Sequence, residues 1–309
     1  MSRRCYLWSL FAFFLLTGCS VIPSAGLNSK AAHPVPVNKA TSSLATQTQS
    51  TILGNPLTAG KTPSVPTDAN STTSATGSKL HPPNAKPTFP VLTLNAKSTW
   101  VVRLQQRLAD LHYLPVAYST SIGWSWRYTN VPPSLRSLWV PGLYTSMTEG
   151  AVMSFERVNG LAVDGVAGPQ VWQALQADVA KDASNPHGYA YVYVSKQAPE
   201  RLLLWYDGRD VLRSLANTGI SQSPTPDGTW PVYLRFTAQT MSGTDPNGTH
   251  YNDPGVPWVN YFYQGDAVHG FTRSFYGSPQ SLGCVELPPA DAKAAWGFIH
   301  YGTLVTVAH

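Results

Sequence analysis

The stretch PQSLGCVEL, residues 279–287, puts a cysteine on a glycine turn and then runs into an apolar strand pattern. Cys284 is the last of three cysteines in 309 residues; the other two, Cys5 and Cys19, lie near the N-terminus. That N-terminus has the features of an export signal. Arg3 and Arg4 give a basic start, and the apolar run from Leu7 to Leu16 is too short to span a bilayer comfortably. Cys5 leaves with such a signal. A cysteine left over in an exported chain is an intermolecular bridge, a reactive thiol or a small buried hydrophobe.

The signal closes on Leu16-Thr17-Gly18-Cys19, which resembles a bacterial lipobox. The resemblance implies cleavage after residue 18 and a lipid anchor on Cys19; the alternative is an ordinary cleaved signal with a chance cysteine. With Cys19 lipidated, Cys284 is the one thiol left and no intramolecular disulfide can form.

The formal charge of +5 does not describe a folded surface. The signal holds two arginines, and residues 20–98 hold six lysines against Asp68 alone, which leaves residues 99–309 at −2. A nucleic-acid footprint needs clustered basic residues on a folded face, and none is evident. Residues 19–97 are rich in Ser, Thr, Pro, Asn and Ala with Phe89 as their one aromatic. Too little apolar surface is available there to offset ordering, so a disordered tether is expected. Its lysines suit anionic headgroups or acidic wall polymers, or serve only to keep the tether solvated.

Order is expected from Ser98. Val101, Leu104, Leu108 and Leu111 recur at helical spacing behind Ser98 as an N-cap. A second amphipathic segment spans about Thr145 to Val158. In GLAVDGVAGPQVWQAL, Asp164-Gly165 makes a turn and Pro169 opens a third helix carrying Trp172 and Leu175. Residues 98–182 thus read as a small three-helix unit. Its Leu104, Gln105, Tyr113, Ala151, Val152, Phe155, Gly160, Leu161, Val163, Asp164, Gly165, Gly168, Pro169 and Trp172 resemble the pattern of the peptidoglycan-binding domain found beside cell-wall enzymes. The departure is residues 116–140, a longer connection carrying Trp124, Trp126, Tyr128 and Trp139, read either as a glycan platform or as aromatics buried against the second domain.

From about Pro186 the period becomes two. YAYVYVS alternates, RLLLWYDGRDVLRSLANTG reads as two strands joined at Asp207-Gly208, and GTLVTVA closes the chain, with PADAKAAWGFI the one helical segment. A mostly antiparallel sandwich with one or two helices fits residues 186–309, and the whole is multidomain α+β.

A cysteine nucleophile needs a base, something to orient that base, and donors for an oxyanion. His269 lies fifteen residues before Cys284, and Gly283 has no Cβ to block approach to the Gly283 and Cys284 N–H groups. This half of the chain resembles the catalytic domain of L,D-transpeptidases (YkuD-like). The resemblance rests on Thr225-Pro226-Asp227-Gly228-Thr229-Trp230, then Trp258 with Tyr261 and Phe262, then Val268-His269-Gly270, then Ser281-Leu282-Gly283-Cys284-Val285-Glu286-Leu287. It implies a mainly-β fold and a cysteine acyl-enzyme. Cys284 attacks the third-residue carbonyl of a peptidoglycan tetrapeptide stem, and a side-chain amine of a second stem resolves the thioester as a 3→3 cross-link. His269 moves the proton, the Gly283 and Cys284 N–H groups hold the oxyanion, and Gly270, lacking a side chain, offers His269 only a carbonyl. Ser281, Trp258, Tyr261 and Arg273 are expected around the substrate.

Two residues depart from the family's commonest form, Leu282 for His and Glu286 for Arg. Arg273 is expected either to pair with Glu286 or to take a substrate carboxylate. No ligand pair at zinc spacing accompanies His250, so neither metal nor cofactor is expected. Rival readings keep the domain and change the outcome: water as acyl acceptor (an L,D-carboxypeptidase), attachment of proteins to the wall, or an inactive wall-binding lipoprotein. The expected location is outside the cytoplasm, at membrane and cell wall.

Overall fold

The computed structural model describes residues 89–309. The signal, lipobox and most of the tether lie outside the described residues. Order begins earlier than the composition predicts. Phe89 stacks on Trp172 at 5.3 Å and meets Trp100 at 6.0 Å. Leu92 exchanges backbone hydrogen bonds with Ala167, at 3.2 and 2.9 Å. The tether expectation therefore fails over 89–97: one aromatic among many polar residues suffices once a hydrophobic slot and a free backbone edge receive it.

Three helices form the frame of the N-terminal part: α1 (Thr99–Asp110), α3 (Ser146–Val158) and α4 (Pro169–Ala180). Ser98 caps α1, its Oγ accepting the Val101 N–H at 3.3 Å. Val101, Leu104, Leu108, Val152, Phe155, Trp172 and Leu175 are buried among them. The Asp164-Gly165 turn is held by Glu156, whose Oε2 accepts both backbone N–H groups at 3.1 and 2.9 Å. The longer connection folds into a hairpin, β1 (Val116–Ser119) with β2 (Gly123–Trp126), and one helical turn, α2 (Pro133–Arg136). Its aromatics divide. Trp124 and Trp139 pack on each other at 4.9 Å within the helical part. Tyr128 instead crosses to the sheet, edge-on to Trp205 at 5.4 Å with its hydroxyl donating to Asp207 at 2.5 Å.

The C-terminal part is two stacked sheets. One has the order β5 (Arg209–Leu215), β4 (Arg201–Tyr206), β3 (Ala190–Ser195), β11 (Leu304–Ala308), β6 (Gly228–Pro231). The other has β10 (Val285–Leu287), β9 (Asp266–Gly270), β8 (His250–Tyr263), β7 (Leu234–Thr244). Asp207-Gly208 makes the two-residue β4–β5 turn with both φ positive, 43° and 87°. The mostly antiparallel expectation misses two parallel pairs, β3 with β11 and β9 with β10. Val192, Val194, Leu202 and Leu204 of one sheet meet Phe262, Val268, Val285 and Leu287 of the other, and α5 (Pro289–Trp296) closes this core through Ala292 and Ala295.

The two parts share one core. Tyr189, Tyr191, Trp205 and Leu304 of the five-stranded sheet belong to the same buried cluster as the helices. At the seam Gly150 of α3 and Gly302 before β11 touch backbone to backbone. A Cβ on Gly302, at φ +80°, would lie 1.9 Å from the Gly150 carbonyl oxygen and 2.8 Å from the Ser154 nitrogen. Gly302→Ala is therefore expected to cost about 2–4 kcal/mol in denaturant unfolding. Gly160→Ala, at φ +66° with nothing within 4 Å, should lose only the conformational share, about 1–2 kcal/mol. Equal losses would show that the seam is not tight.

Candidate active site

Parallel pairing of β9 and β10 sets Val285 opposite Val268 and Glu286 opposite His269. Side chains alternate along a strand, so Val268, Val285 and Leu287 enter the sandwich core while Ala267, His269, Cys284 and Glu286 fall on the other face. The one-residue step from Cys284 to Val285 thus places thiol and imidazole on one face of adjacent strands.

His269 is fully buried, and its Nδ1 lies 3.0 Å from the Gly270 carbonyl oxygen. A carbonyl can only accept, so Nδ1 carries the hydrogen and Nε2 the lone pair. Nε2 is closed to water and has no hydrogen-bond partner among the described residues. Burial lowers the His269 pKa below its ordinary value, against the weaker opposing pull of Glu286 and the Gly270 carbonyl. The ring is a neutral base with its acceptor nitrogen unengaged.

Cys284 is also fully buried, in a cluster with Met241, Val256, Val259, Tyr261 and Ala267. Its Sγ is 4.0 Å from the Gly265 carbonyl oxygen. The loop before it is fastened by three hydroxyls. Ser223 donates to the Leu282 carbonyl at 2.9 Å, Thr225 to the Gly283 carbonyl at 2.7 Å, and Ser281 to the Cys284 carbonyl at 2.5 Å. Thr225 also accepts the Gly219 N–H at 2.9 Å. The Thr-Pro segment, distant in sequence, is thereby a brace for the cysteine turn.

The structure departs from the expected roles at Ser281, Gly283 and Trp258, and gives Arg273 the first of its two expected partners. Ser281 is buried and builds the loop. Its Oγ accepts the Gly283 N–H at 3.1 Å, so that N–H is engaged and does not serve an oxyanion. Gly283 sits at φ +122°, and the space a Cβ would fill is taken by Asp266, with Oδ1 2.3 Å away. Glycine is needed there for a carboxylate of the protein itself. Arg273 makes a bidentate pair with Glu286, at 2.8 and 3.0 Å, with side chains 6% and 0% exposed. The guanidinium missing after Cys-Val is supplied from the β9–β10 connection, and it answers Glu286 rather than a substrate carboxylate. Trp258 points into the sandwich core and packs against Trp296 of α5 at 5.8 Å, away from the Cys284 cluster. Tyr261 does lie in that cluster, its hydroxyl donating to Gln239 at 2.9 Å.

Three further residues neighbour the site, and two of them, Asp266 and Asp253, escaped the sequence reading. Tyr251 is buried against Leu282, and burial together with the Cys284 charge raises its pKa, as for Tyr261. Asp266, 1% exposed, follows Gln264-Gly265 and reads in sequence as a turn residue. Asp253 precedes a Pro-Gly pair and reads the same way. Among the described residues no group of three or more His, Cys, Asp or Glu is placed to hold a metal ion.

Family models match both parts of the chain. The YkuD model, the L,D-transpeptidase catalytic domain, matches residues 189–307, and the peptidoglycan-binding domain model PG_binding_1 matches residues 98–175. No curated protein matches. Similar solved structures include the catalytic domain of an E. faecium L,D-transpeptidase, 27% identical over 38% of this chain and 96% of its own, TM-score 0.35. Another is L,D-transpeptidase 3 from Mycobacterium tuberculosis with a faropenem-derived adduct, 19% identical over 41% of this chain and 62% of its own, TM-score 0.37. A third is the L,D-transpeptidase from Xylanimonas cellulosilytica, 25% identical over 73% of this chain and 100% of that one, TM-score 0.30. Residues 189–307 are a YkuD-type L,D-transpeptidase catalytic domain, and a peptidoglycan-binding domain precedes it.

Proposed function

We propose that this protein is an extracytoplasmic L,D-transpeptidase, anchored by lipid on Cys19 and working on peptidoglycan through a Cys284 acyl-enzyme without metal or cofactor. His269 Nε2 takes the Sγ proton as Sγ bonds to the third-residue carbonyl carbon of a tetrapeptide stem. The C–N bond to the terminal D-alanine then breaks, and the proton passes from His269 to the departing amine. A side-chain amine of a second stem attacks the thioester and gives a proton to His269; the C–Sγ bond breaks as the new 3→3 peptide bond forms, and His269 returns that proton to Sγ. Gly270 orients the base through its carbonyl, and Ser281 holds the nucleophile's loop through the Cys284 carbonyl.

The observation that carries this reading is the fixed tautomer of His269: Nδ1 is committed to Gly270 and Nε2 is unpartnered on the face that holds Cys284. A histidine buried for packing alone leaves such a nitrogen at a cost of about 1–3 kcal/mol. The shared core of sheet and helices makes the peptidoglycan-binding domain a fixed extension of the enzyme, which presents polymer in one orientation. Intact mass after incubation with a carbapenem tests the chemistry. A covalent adduct is expected on the parent protein and none on Cys284→Ala; a folded parent without adduct would reduce the protein to a wall-binding module. Muropeptides then separate the outcomes, since a cross-linked dimer marks an amine acceptor and a trimmed stem marks water.

A further inference from the structure

We propose that Asp266 is a positioning residue for the thiol proton: its carboxylate, locked against the turn before the nucleophile, keeps Cys284 as S–H at rest. The sulphur then ionises only as His269 takes the proton and the acyl bond forms. The proposal rests on the transpeptidase reading and names what restrains its nucleophile.

Asp266 opens β9 directly after the Gln264-Gly265 turn and stands opposite Tyr263 in the ladder. The Tyr233 hydroxyl donates to the Gln264 carbonyl and ties that turn down. Asp266 is 1% exposed, and its Oδ1 is 2.3 Å from the place a Cβ on Gly283 would take. A Cβ stands about 1.5 Å from its Cα and successive Cα atoms about 3.8 Å apart, so Oδ1 lies within about 8 Å of the Cys284 Cα. Neither side of this contact can retreat. Thr225 and Ser281 pin the Gly283 and Cys284 carbonyls at 2.7 and 2.5 Å, while the short β8–β9 turn fixes Asp266.

Two acceptors beside the sulphur favour the same protonated form. Sγ lies 4.0 Å from the Gly265 carbonyl oxygen, which can accept an S–H and has nothing to donate to a thiolate. His269 Nε2, on the same face, presents a lone pair rather than a hydrogen. Thiol and ring are thus a neutral pair, ready for one proton transfer.

The charges around Cys284 agree. The phenols of Tyr233, Tyr251 and Tyr261 have pKa values raised first by burial; the Cys284 charge adds to all three, and the Asp266 charge adds to that of Tyr233. Tyr233 therefore feels both groups at once. These phenols are neutral at pH 7, as is the His269 ring, whose pKa burial lowers. Across the ladder Glu286 and Arg273 offset each other in their bidentate pair. Of these groups, Asp266 sets the sign of the field at the sulphur, and a negative field holds the proton on it.

The test is the ultraviolet thiolate absorbance of the full chain against pH, in the parent and in Asp266→Asn, with Cys284→Ala in each background subtracted to remove the tyrosines and the other cysteines. At about 8 Å a unit charge in a partly buried setting changes an ionisation by roughly 10- to 30-fold, so Asp266→Asn should raise the thiolate fraction at pH 7 by about that factor. A thiolate formed more easily is a weaker nucleophile, and carbapenem acylation at pH 7 should quicken by only about three- to fivefold. A carboxylate that merely braced the turn would give the opposite sign, slower acylation with the thiolate inflection unmoved. Asp266→Ala, which removes the charge without introducing an amide, should move the inflection in the same direction and serves where the asparagine does not fold. An inflection that stays in place or rises in the folded variants, whatever the rate, would overturn the role of Asp266. A parent that takes no carbapenem adduct would instead sink the transpeptidase reading, while the inflection still judged Asp266.

Discussion

Arg273→Ala is expected to destabilise the fold by about 3–5 kcal/mol, because it leaves the Glu286 carboxylate buried with no guanidinium beside it. Glu286 has no exposure and Arg273 only 6%, so water cannot replace the missing partner. The Arg273 Nη2 hydrogen bond to the Gln280 carbonyl, at 3.3 Å, is lost at the same time, and with it a tie between the β9–β10 connection and the turn entering the Cys284 loop. For a folded region of this size the melting temperature should fall by roughly 10 °C or more. Arg273→Met combined with Glu286→Leu should recover most of the loss, since removing both charges removes the uncompensated one. The measurement is urea unfolding of the single and paired variants. A loss below about 1 kcal/mol in Arg273→Ala, with a weakened donor KM instead, would return Arg273 to the substrate, where the sequence alone had placed it as one of two options.

How far the site could be read from sequence follows the range of each interaction. His269, Gly270 and Cys284 sit in short motifs, and the Gly270 carbonyl was foreseeable because glycine leaves the preceding histidine no other partner in that motif. The helices were legible for the same reason: Ser98, Pro169 and the apolar spacing act within a turn or two. What stayed hidden depends on residues far apart. Nothing in Ser223 or Thr225 announces that they donate to carbonyls some sixty residues later. Trp258 and Tyr261 are three apart on one strand, so alternation alone sends them to opposite faces, Trp258 with Phe262 and Tyr261 with Val259; that the Tyr261 face is the one holding Cys284 depends on strands distant in sequence. Gly283 was rightly seen as a position that cannot bear a side chain, for the wrong neighbour. Sequence suggests an approaching substrate, whereas the structure puts the Asp266 carboxylate there.

The second large effect concerns the base. His269→Gln should slow carbapenem acylation of Cys284 by roughly 10²–10⁴-fold, the usual worth of a positioned general base. Glutamine can still donate toward the Gly270 carbonyl, so the loss isolates the Nε2 lone pair from packing. The pH dependence gives a second readout. The neutral ring is the active form, and burial lowers its pKa below the ordinary 6.5. As pH falls the base is therefore retained through 6.5 and lost only below it, which places the acid limb of the acylation rate under that value. Stability moves with the same sign. Below 6.5 the unfolded chain gains a proton on this histidine that the folded chain refuses, so stability declines as pH drops from 6.5 toward the lowered folded value. His300, whose pKa is lowered to about 4 by burial, with His187 and Arg235 adding to it, contributes over the window from 6.5 to about 4 in the same direction. In His269→Gln the part of the acid destabilisation owed to this ring should vanish while that of His300 remains. An acid limb at or above 6.5 would mean that the ring is charged at rest. Cys284 would then work as a preformed thiolate beside an imidazolium, and the Gly270 carbonyl would orient an acid rather than a base.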